Sequence, residues 1–209
     1  MVQFTKICDS LDKLFWTSDT HAFHKNITKG VTTWEYPHNL GCRDFEDEIK
    51  MTNLLIENIN KTVGEDDVLV HAGDWSFGGK QKIKEFKDAL ICKNIYLIKG
   101  NHDHNITQEY ALDLGFKDFQ DIGYYKCEGI IFFVSHYPNV VWHQSHKGCI
   151  GIYGHCHNSY NHLGKAIDVG MDSAFAKLGE YRPFTSEEII KYCSNRLIIE
   201  ESHHNPNTN

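Results

Sequence analysis

Five short segments of the chain carry side chains suited to divalent metal ions: Asp19-Thr20-His21, Gly73-Asp74, Gly100-Asn101-His102-Asp103, Ser135-His136 and Gly154-His155-Cys156-His157. Together they offer three Asp, one Asn and five His, enough hard oxygen and imidazole donors to fill two coordination spheres. Paired ions held this way are the usual machinery for cleaving phosphate esters near neutral pH. Asp19 and His21 stand at i and i+2, which on an extended backbone point the same way. His155 and His157 repeat that spacing, so Cys156 between them is expected to turn away as a buried thiol. Gly100 permits a sharp turn and Asn101 adds a neutral oxygen. A lone histidine is more often a hydrogen-bonded core or surface residue. Five of them beside three carboxylates, each near the end of a short apolar run, are not readily independent accidents.

Those runs are the elements that must position the ligands. Residues 14–17, 68–70 and 95–98 are short and apolar and read as strands, two of them continuous enough to be buried on both faces. Between them, 44–63 reads as a helix whose buried face is Phe45, Ile49, Thr52, Ile56, Ile59 and Val63. A second amphipathic helix is marked by Ile83, Phe86 and Leu90. Strand, helix, strand, helix, strand is the signature of an α/β layer. The second half differs. Residues 124–127 and 130–134 flank Glu128-Gly129 as a hairpin, 150–153 and 166–169 are further strands, and Thr185-Ser186-Glu187-Glu188 is a capping box opening a last helix. No repeat or linker interrupts the pattern, so 1–201 is expected to be one domain. The segment 24–42, with Trp34, Tyr36 and Pro37, is a long loop of the kind that is often functional. The tail 202–209 has no core-forming residues and is expected to be disordered.

With 209 residues, 41% of them hydrophobic and 23% charged, the chain has the composition of an ordinary globular domain. Its net charge of −7, from 21 basic and 28 acidic residues, argues against duplex nucleic acid as the main partner. The seven cysteines include no CxxC pair, and their odd number points to free thiols in a reducing, cytoplasmic setting. No apolar run is long enough for a membrane span or a signal peptide.

The order and flanks of the five segments resemble the calcineurin-like metallophosphoesterase superfamily, whose blocks run Asp-x-His, Gly-Asp, Gly-Asn-His-Asp/Glu, His and Gly-His-x-His. The likeness spans about 15–185. The stretches TSDTH, CRDF, GNHD, SHYP, GHCH and AIDVGMD are similar to those of a small single-domain bacterial and phage-type branch. The resemblance implies a four-layer α/β/β/α sandwich of two mixed sheets. It also implies two transition-metal ions, manganese first, with iron, zinc or nickel as alternatives. Asp19, His21, Asp74 and His157 would hold one ion, and Asp74 would bridge to a second held by Asn101, His136 and His155. A hydroxide between the ions would attack phosphorus in line. His102 would assist the leaving group, with Asp103 orienting its ring.

The substrate expected on this reading is a small phosphodiester or phosphomonoester, the diester favoured, and it may include a nucleotide. A nuclease acting on short single strands, or a scaffold that has lost catalysis, are the alternatives; the complete ligand set weighs against the scaffold. Arg43 is a candidate clamp for a substrate phosphate, and His24 and Asn26 are candidate pocket residues. Arg182 reads as structural, and His71 as a hydrogen-bonded neighbour of the site. Asp168 and Asp172 could orient metal-bound histidines, and Trp75 or Phe77 could stack on a base.

Overall fold

The computed structural model describes residues 2–30 and 43–199. Residues Trp34, Tyr36 and Pro37 of the long loop, and the tail 202–209, therefore lie outside the described residues. Two mixed five-stranded sheets face each other. In one, β1 (Thr5–Lys6), β6 (Ile122–Cys127), β7 (Ile130–Ser135), β8 (Ile150–Tyr153) and β9 (Ala166–Asp168) lie in that order. In the other, β10 (Phe184–Thr185) is antiparallel to β2 (Leu14–Thr17), which continues in parallel through β3 (Val68–His71), β4 (Asn94–Ile98) and β5 (Asp118–Gln120). Alternation along the strands divides the second sheet's side chains between two cores. Leu14, Trp16, Val68, Val70 and Ile98 point inward against Phe132, Val134, Ile152 and Ile167 of the opposite sheet. Phe15, Leu69, Ile95 and Leu97 point outward against α1 (Glu48–Thr62), α2 (Gly79–Ala89) and α3 (Gln108–Asp113).

The outer face of the first sheet is covered differently. There Trp142 stacks on Phe133 at 5.7 Å and donates its indole N–H to the Cys149 carbonyl, with Tyr153, Ala166 and Cys149 completing the layer. The last two helices, α4 (Met171–Leu178) and α5 (Ser186–Ser194), contribute Ala174, Ile189 and Cys193 to the core between the sheets.

The expected strands and the hairpin are present. Glu128 and Gly129 both have positive φ, 46° and 84°, as a tight two-residue hairpin turn requires. The Thr185/Glu188 capping box forms as read, and Arg182 pairs with Glu188, which fits its structural reading. The first helix is shorter and rotated. It starts at Glu48 because the Asp47 carboxylate accepts the Lys50 N–H and the Asp47 backbone is extended. Its buried residues are Met51, Thr52, Leu55 and Ile59, so Ile49, expected in the core, is 46% exposed. Leu55→Ala should therefore destabilise the protein by about 2–5 kcal/mol. Ile49→Ala should stay within about 0.5 kcal/mol of wild type. Urea titration followed by circular dichroism checks both; equal losses would return Ile49 to the buried face.

Candidate metal centre

Every expected ligand lies just past the carboxyl end of a parallel strand: Asp19 and His21 after β2, Asp74 after β3, Asn101 after β4, His136 after β7, and His155 and His157 after β8. The two sheets meet there through a bridge between Ser18 and Gly170 and through a hydrogen bond between His136 Nδ1 and the Ala72 carbonyl. The backbone is not extended, as the spacing of Asp19 and His21 had suggested. Asp19, His21, Asp74, His155 and His157 all have positive φ, between 44° and 67°. Non-glycine residues rarely adopt that region, and clusters of them mark functional sites where the surroundings enforce the conformation. The enforcement is visible. Asp19 N–H donates to the Gly73 carbonyl, His21 N–H to the Asp74 carbonyl and Ala22 N–H to the Trp75 carbonyl, lacing the first loop to the second.

Two glycines allow the carboxylates to sit against neighbouring backbone. A Cβ on Gly100 would fall 2.9 Å from Asp74 Cγ, and closer still to its Oδ1 and N–H. A Cβ on Gly154 would meet Ser18 Cβ at 2.8 Å, and its Oγ and Asp19 Oδ2 more closely still. Neither position can carry a side chain without moving a carboxylate.

The donor atoms converge on two points. In the first group, His21 Nε2 and His157 Nε2 are 3.3 Å apart and each is 3.6 Å from Asp19 Oδ1. In the second, Asn101 Oδ1 is 2.9 Å from both His136 Nε2 and His155 Nδ1. Asp74 Oδ2 belongs to both, at 3.5 Å from His21 Nε2 and 3.4 Å from His136 Nε2. A transition-metal ion with bonds of about 2.0–2.2 Å spaces neighbouring donors roughly 3.0–3.5 Å apart, so these spacings fit what such an ion would require. Asp19, Asp74 and His136 also fall within ligating distance as a buried set. Imidazole and carboxylate donors together suit transition metals better than Ca²⁺.

Burial decides the charge states. It lowers His21 to about 4, so that ring is neutral at pH 7. Burial also opposes charge on His136 and His157, but Asp74 beside the first and Asp172 beside the second outweigh it. His136 is pushed up to about 9, and His157 is raised. Asp19 feels a burial penalty too, yet His157, His21 and His136 hold it below the usual carboxylate range. His71 is held near 3 by burial, and its neutral ring bonds Thr20 Oγ1 through Nε2 and accepts the Gly73 N–H at Nδ1, the supporting place expected for it.

Two expected roles change. Arg43 is 1% exposed and donates to Asp172, to the Thr20 carbonyl at 2.8 Å and to the Asp19 carbonyl. Its guanidinium is committed to holding the first loop and has no donor turned outward for a substrate phosphate. Asp103 does not touch His102. Its buried carboxylate accepts the N–H groups of Asp74, Trp75 and Gly100 at 2.8–2.9 Å, tying the second and third ligand loops together. Of the two undecided aspartates, Asp172 Oδ2 is 2.8 Å from His157 Nδ1 and orients that ring. Asp168 instead accepts from Asn158 and Gly170, and burial pushes it up to about 6. Its neighbour Cys156 is partly buried and its thiol is pushed up to about 12 by burial, as a residue turned from the ligands would be. Sequence reasoning missed the Asp103 clamp because a carboxylate adjacent to a candidate acid looks like its partner. Nothing in the spacing shows that it faces three amides.

His102 lies at the rim. Its side chain is 43% exposed, its Nε2 is 4.0 Å from Asp74 Oδ2, and its backbone N–H donates to Asp74 Oδ1. It belongs to neither donor group. His24 and Asn26 line a cavity beside it, together with His21 and His157. Trp75 is fully buried core, whereas Phe77 sits partly exposed against His24.

A sequence model of the calcineurin-like phosphoesterase family matches residues 13–207. An uncharacterized protein of Methanocaldococcus jannaschii is 29% identical over 199 residues, which is 91% of this chain and 96% of that protein. Among solved structures, a protein of unknown function from Aquifex aeolicus aligns with a TM-score of 0.57 and 21% identity over 86% of this chain and 98% of its own, and so shares the fold. A phosphoesterase from E. coli aligns more distantly, with a TM-score of 0.39 and 14% identity over 75% of this chain and 77% of its own.

Removing Arg43 leaves the buried Asp172 without its guanidinium partner and with only the His157 ring beside it, so Arg43→Ala should cost about 3–5 kcal/mol of unfolding free energy. A substrate-binding arginine would instead raise KM with stability unchanged, which urea titration distinguishes. His136 and His157 must lose protons before they can ligate. Metal uptake at pH 7 should therefore release protons, and the release should fade as pH rises past about 9, where His136 is already neutral. Calorimetry in buffers of different ionisation enthalpy reads this; an uptake that exchanges no protons at pH 7 would contradict it.

Proposed function

The chain belongs to the calcineurin-like phosphoesterase family, and from that membership we propose that it is a dinuclear, metal-dependent hydrolase of a small phosphodiester. The observation that carries the dinuclear reading is Asp74 Oδ2, which lies within 3.5 Å of a donor in each of two groups. Asp19, His21, His157 and Asp74 would hold one ion, and Asp74, Asn101, His136 and His155 the other. Manganese is the favoured metal on the mixed nitrogen and oxygen donors. Ions there would supply an activated water and neutralise charge on the phosphoryl oxygens.

The chain's own residues do the rest. His102 stands outside the donor groups with its ring open to solvent, placed to give a proton to the departing oxygen. Because its N–H is fixed by Asp74 Oδ1, the residue that joins the two groups also sets the position of the acid. The diester is preferred over the monoester on charge. A monoester dianion calls for extra cations, whereas Arg43 is withdrawn into its pair with Asp172 and no Lys or Arg lines the cavity among the described residues. The six described cysteines are all free thiols, which supports the reducing cytoplasm as its setting. No helix among the described residues is long and apolar enough to cross a membrane.

Metal analysis after reconstitution with Mn²⁺ should saturate at two ions per chain. Asp74→Asn should weaken both sites and remove most hydrolysis of bis-p-nitrophenyl phosphate; two retained ions with near-normal turnover would show that Asp74 is not shared. His102→Ala should keep both ions while kcat falls by about 10²–10⁴-fold for an alkoxide leaving group. The loss should shrink for p-nitrophenolate, which scarcely needs a proton. Equal losses for the two leaving groups would assign His102 to phosphoryl stabilisation instead.

A further inference from the structure

Beside the ligand cluster lies a cavity of about 250 Å³, bounded by His21, His102 and His157 on one side and by His24, Asn26 and Ile27 on the other. Its dimensions fall just below the roughly 300–1,000 Å³ of pockets that take drug-sized ligands, so it suits one ring system and not a polymer. The His24 ring lies flat on Phe77, with centroids 3.6 Å apart and 8° between the planes. Phe77 in turn is 5.0 Å from the His102 ring. An aromatic wall therefore runs from the cavity to the residue assigned to the departing oxygen. Among the described residues lining the cavity, none is Lys, Arg, Asp or Glu.

We infer that this cavity is a subsite for an uncharged, planar ring on the leaving group of the substrate, with His24 and Phe77 as the residues that select it. The inference rests on the phosphoesterase reading above and names the class of ester within it. A flat ring entering the cavity finds the His24 face, backed by the Phe77 ring, as a stacking surface. A leaving group bearing a second phosphate would find no Lys or Arg among the described lining residues. A small alkyl group would leave the wall uncovered. The His102 side chain, at the far end of that wall, is then beside the ester oxygen when the ring is seated.

The test uses the Mn²⁺-loaded protein and phosphonates, which bind without being hydrolysed. Calorimetry should show benzylphosphonate binding about tenfold more tightly than methylphosphonate, in keeping with a stacked ring. The cyclohexylmethyl analogue, of similar bulk but without a π face, should fall well short of benzyl. In His24→Ala, and separately in Phe77→Leu, the benzyl-to-methyl ratio should drop towards one while methylphosphonate affinity stays as in wild type. Equal benzyl and methyl affinities in the wild type, a cyclohexylmethyl analogue as tight as benzyl, or a ratio untouched in both variants would each overturn the subsite. The parent reading fails separately: a protein that shows the ring preference but hydrolyses no phosphate ester keeps the subsite and loses the activity.

Discussion

Asp19 and Asp74 are almost wholly removed from water, 0% and 2% exposed, and the rest of the site answers to that fact. A carboxylate taken out of water is strongly destabilised unless charge or hydrogen-bond donors surround it. Asp19 is met by the His155 N–H and by the rings of His21 and His157. Asp74 is met by the His102 N–H, by His136 and by His21. The compensation is incomplete in one respect: four imidazoles can carry only so much positive charge at such close range before they repel one another. His21 and His155 are both held low, burial first and neighbouring histidines next, while His136 and His157 are held high. A divalent cation between the donors would resolve that conflict, since it would satisfy the carboxylates and take the imidazoles as neutral ligands.

Holding two such carboxylates within a few ångströms of each other requires backbone that ordinary turns do not provide. Left-handed φ at five ligand residues stores strain, of order 1–3 kcal/mol each, and something must over-determine those conformations. Two buried clamps do so from opposite sides. Asp103 gathers three amides from the Asp74 and Gly100 loops, while Arg43, anchored on Asp172, reaches the carbonyls of Asp19 and Thr20. Asp172 also orients His157, so one carboxylate serves both the clamp and a ligand. The two charged groups that looked most like participants in catalysis, Arg43 and Asp103, are thus parts of the frame.

What could be read in the sequence divides along a physical line. Which side chains come together was legible because five motifs each pair a short apolar strand with chemistry at its carboxyl end, and strands of that kind dictate where their ends lie. The direction in which the next side chain faces was not, because it depends on loops whose φ values no local pattern announces. That is why the extended reading of Asp19 and His21 failed while the assignment of both to one donor group stands in the geometry. The helix face failed for a different reason. Ile49 and Met51 are both apolar, and only the packing of α1 on Phe15 and Leu69 determines which turns inward. The shortest elements left no signal at all: β1 and β10 have two residues each, and the first turn of α4 is buried all round, so no amphipathic period marks it.

Exposure is distributed unevenly over the two donor groups, and this sets the direction from which a substrate can arrive. Asp19, Asp74 and His21 are buried, whereas Asn101, His102 and His155 face solvent. A phosphoryl group must therefore approach over the Asn101 and His155 side, with Asp74 below it. His102 stands on the same open rim, beside the cavity that His24 lines. The departing group is then directed along the surface towards His24 and Phe77 instead of down into the core. The buried donor group is well placed to hold its ligand geometry rigidly, since its rings are locked by Asp172 and by packing. The open group, with its amide oxygen and an exposed imidazole, is the one that solvent can reach. The asymmetry of burial, set by where the chain places its clamps, assigns different work to two clusters that share a single carboxylate oxygen.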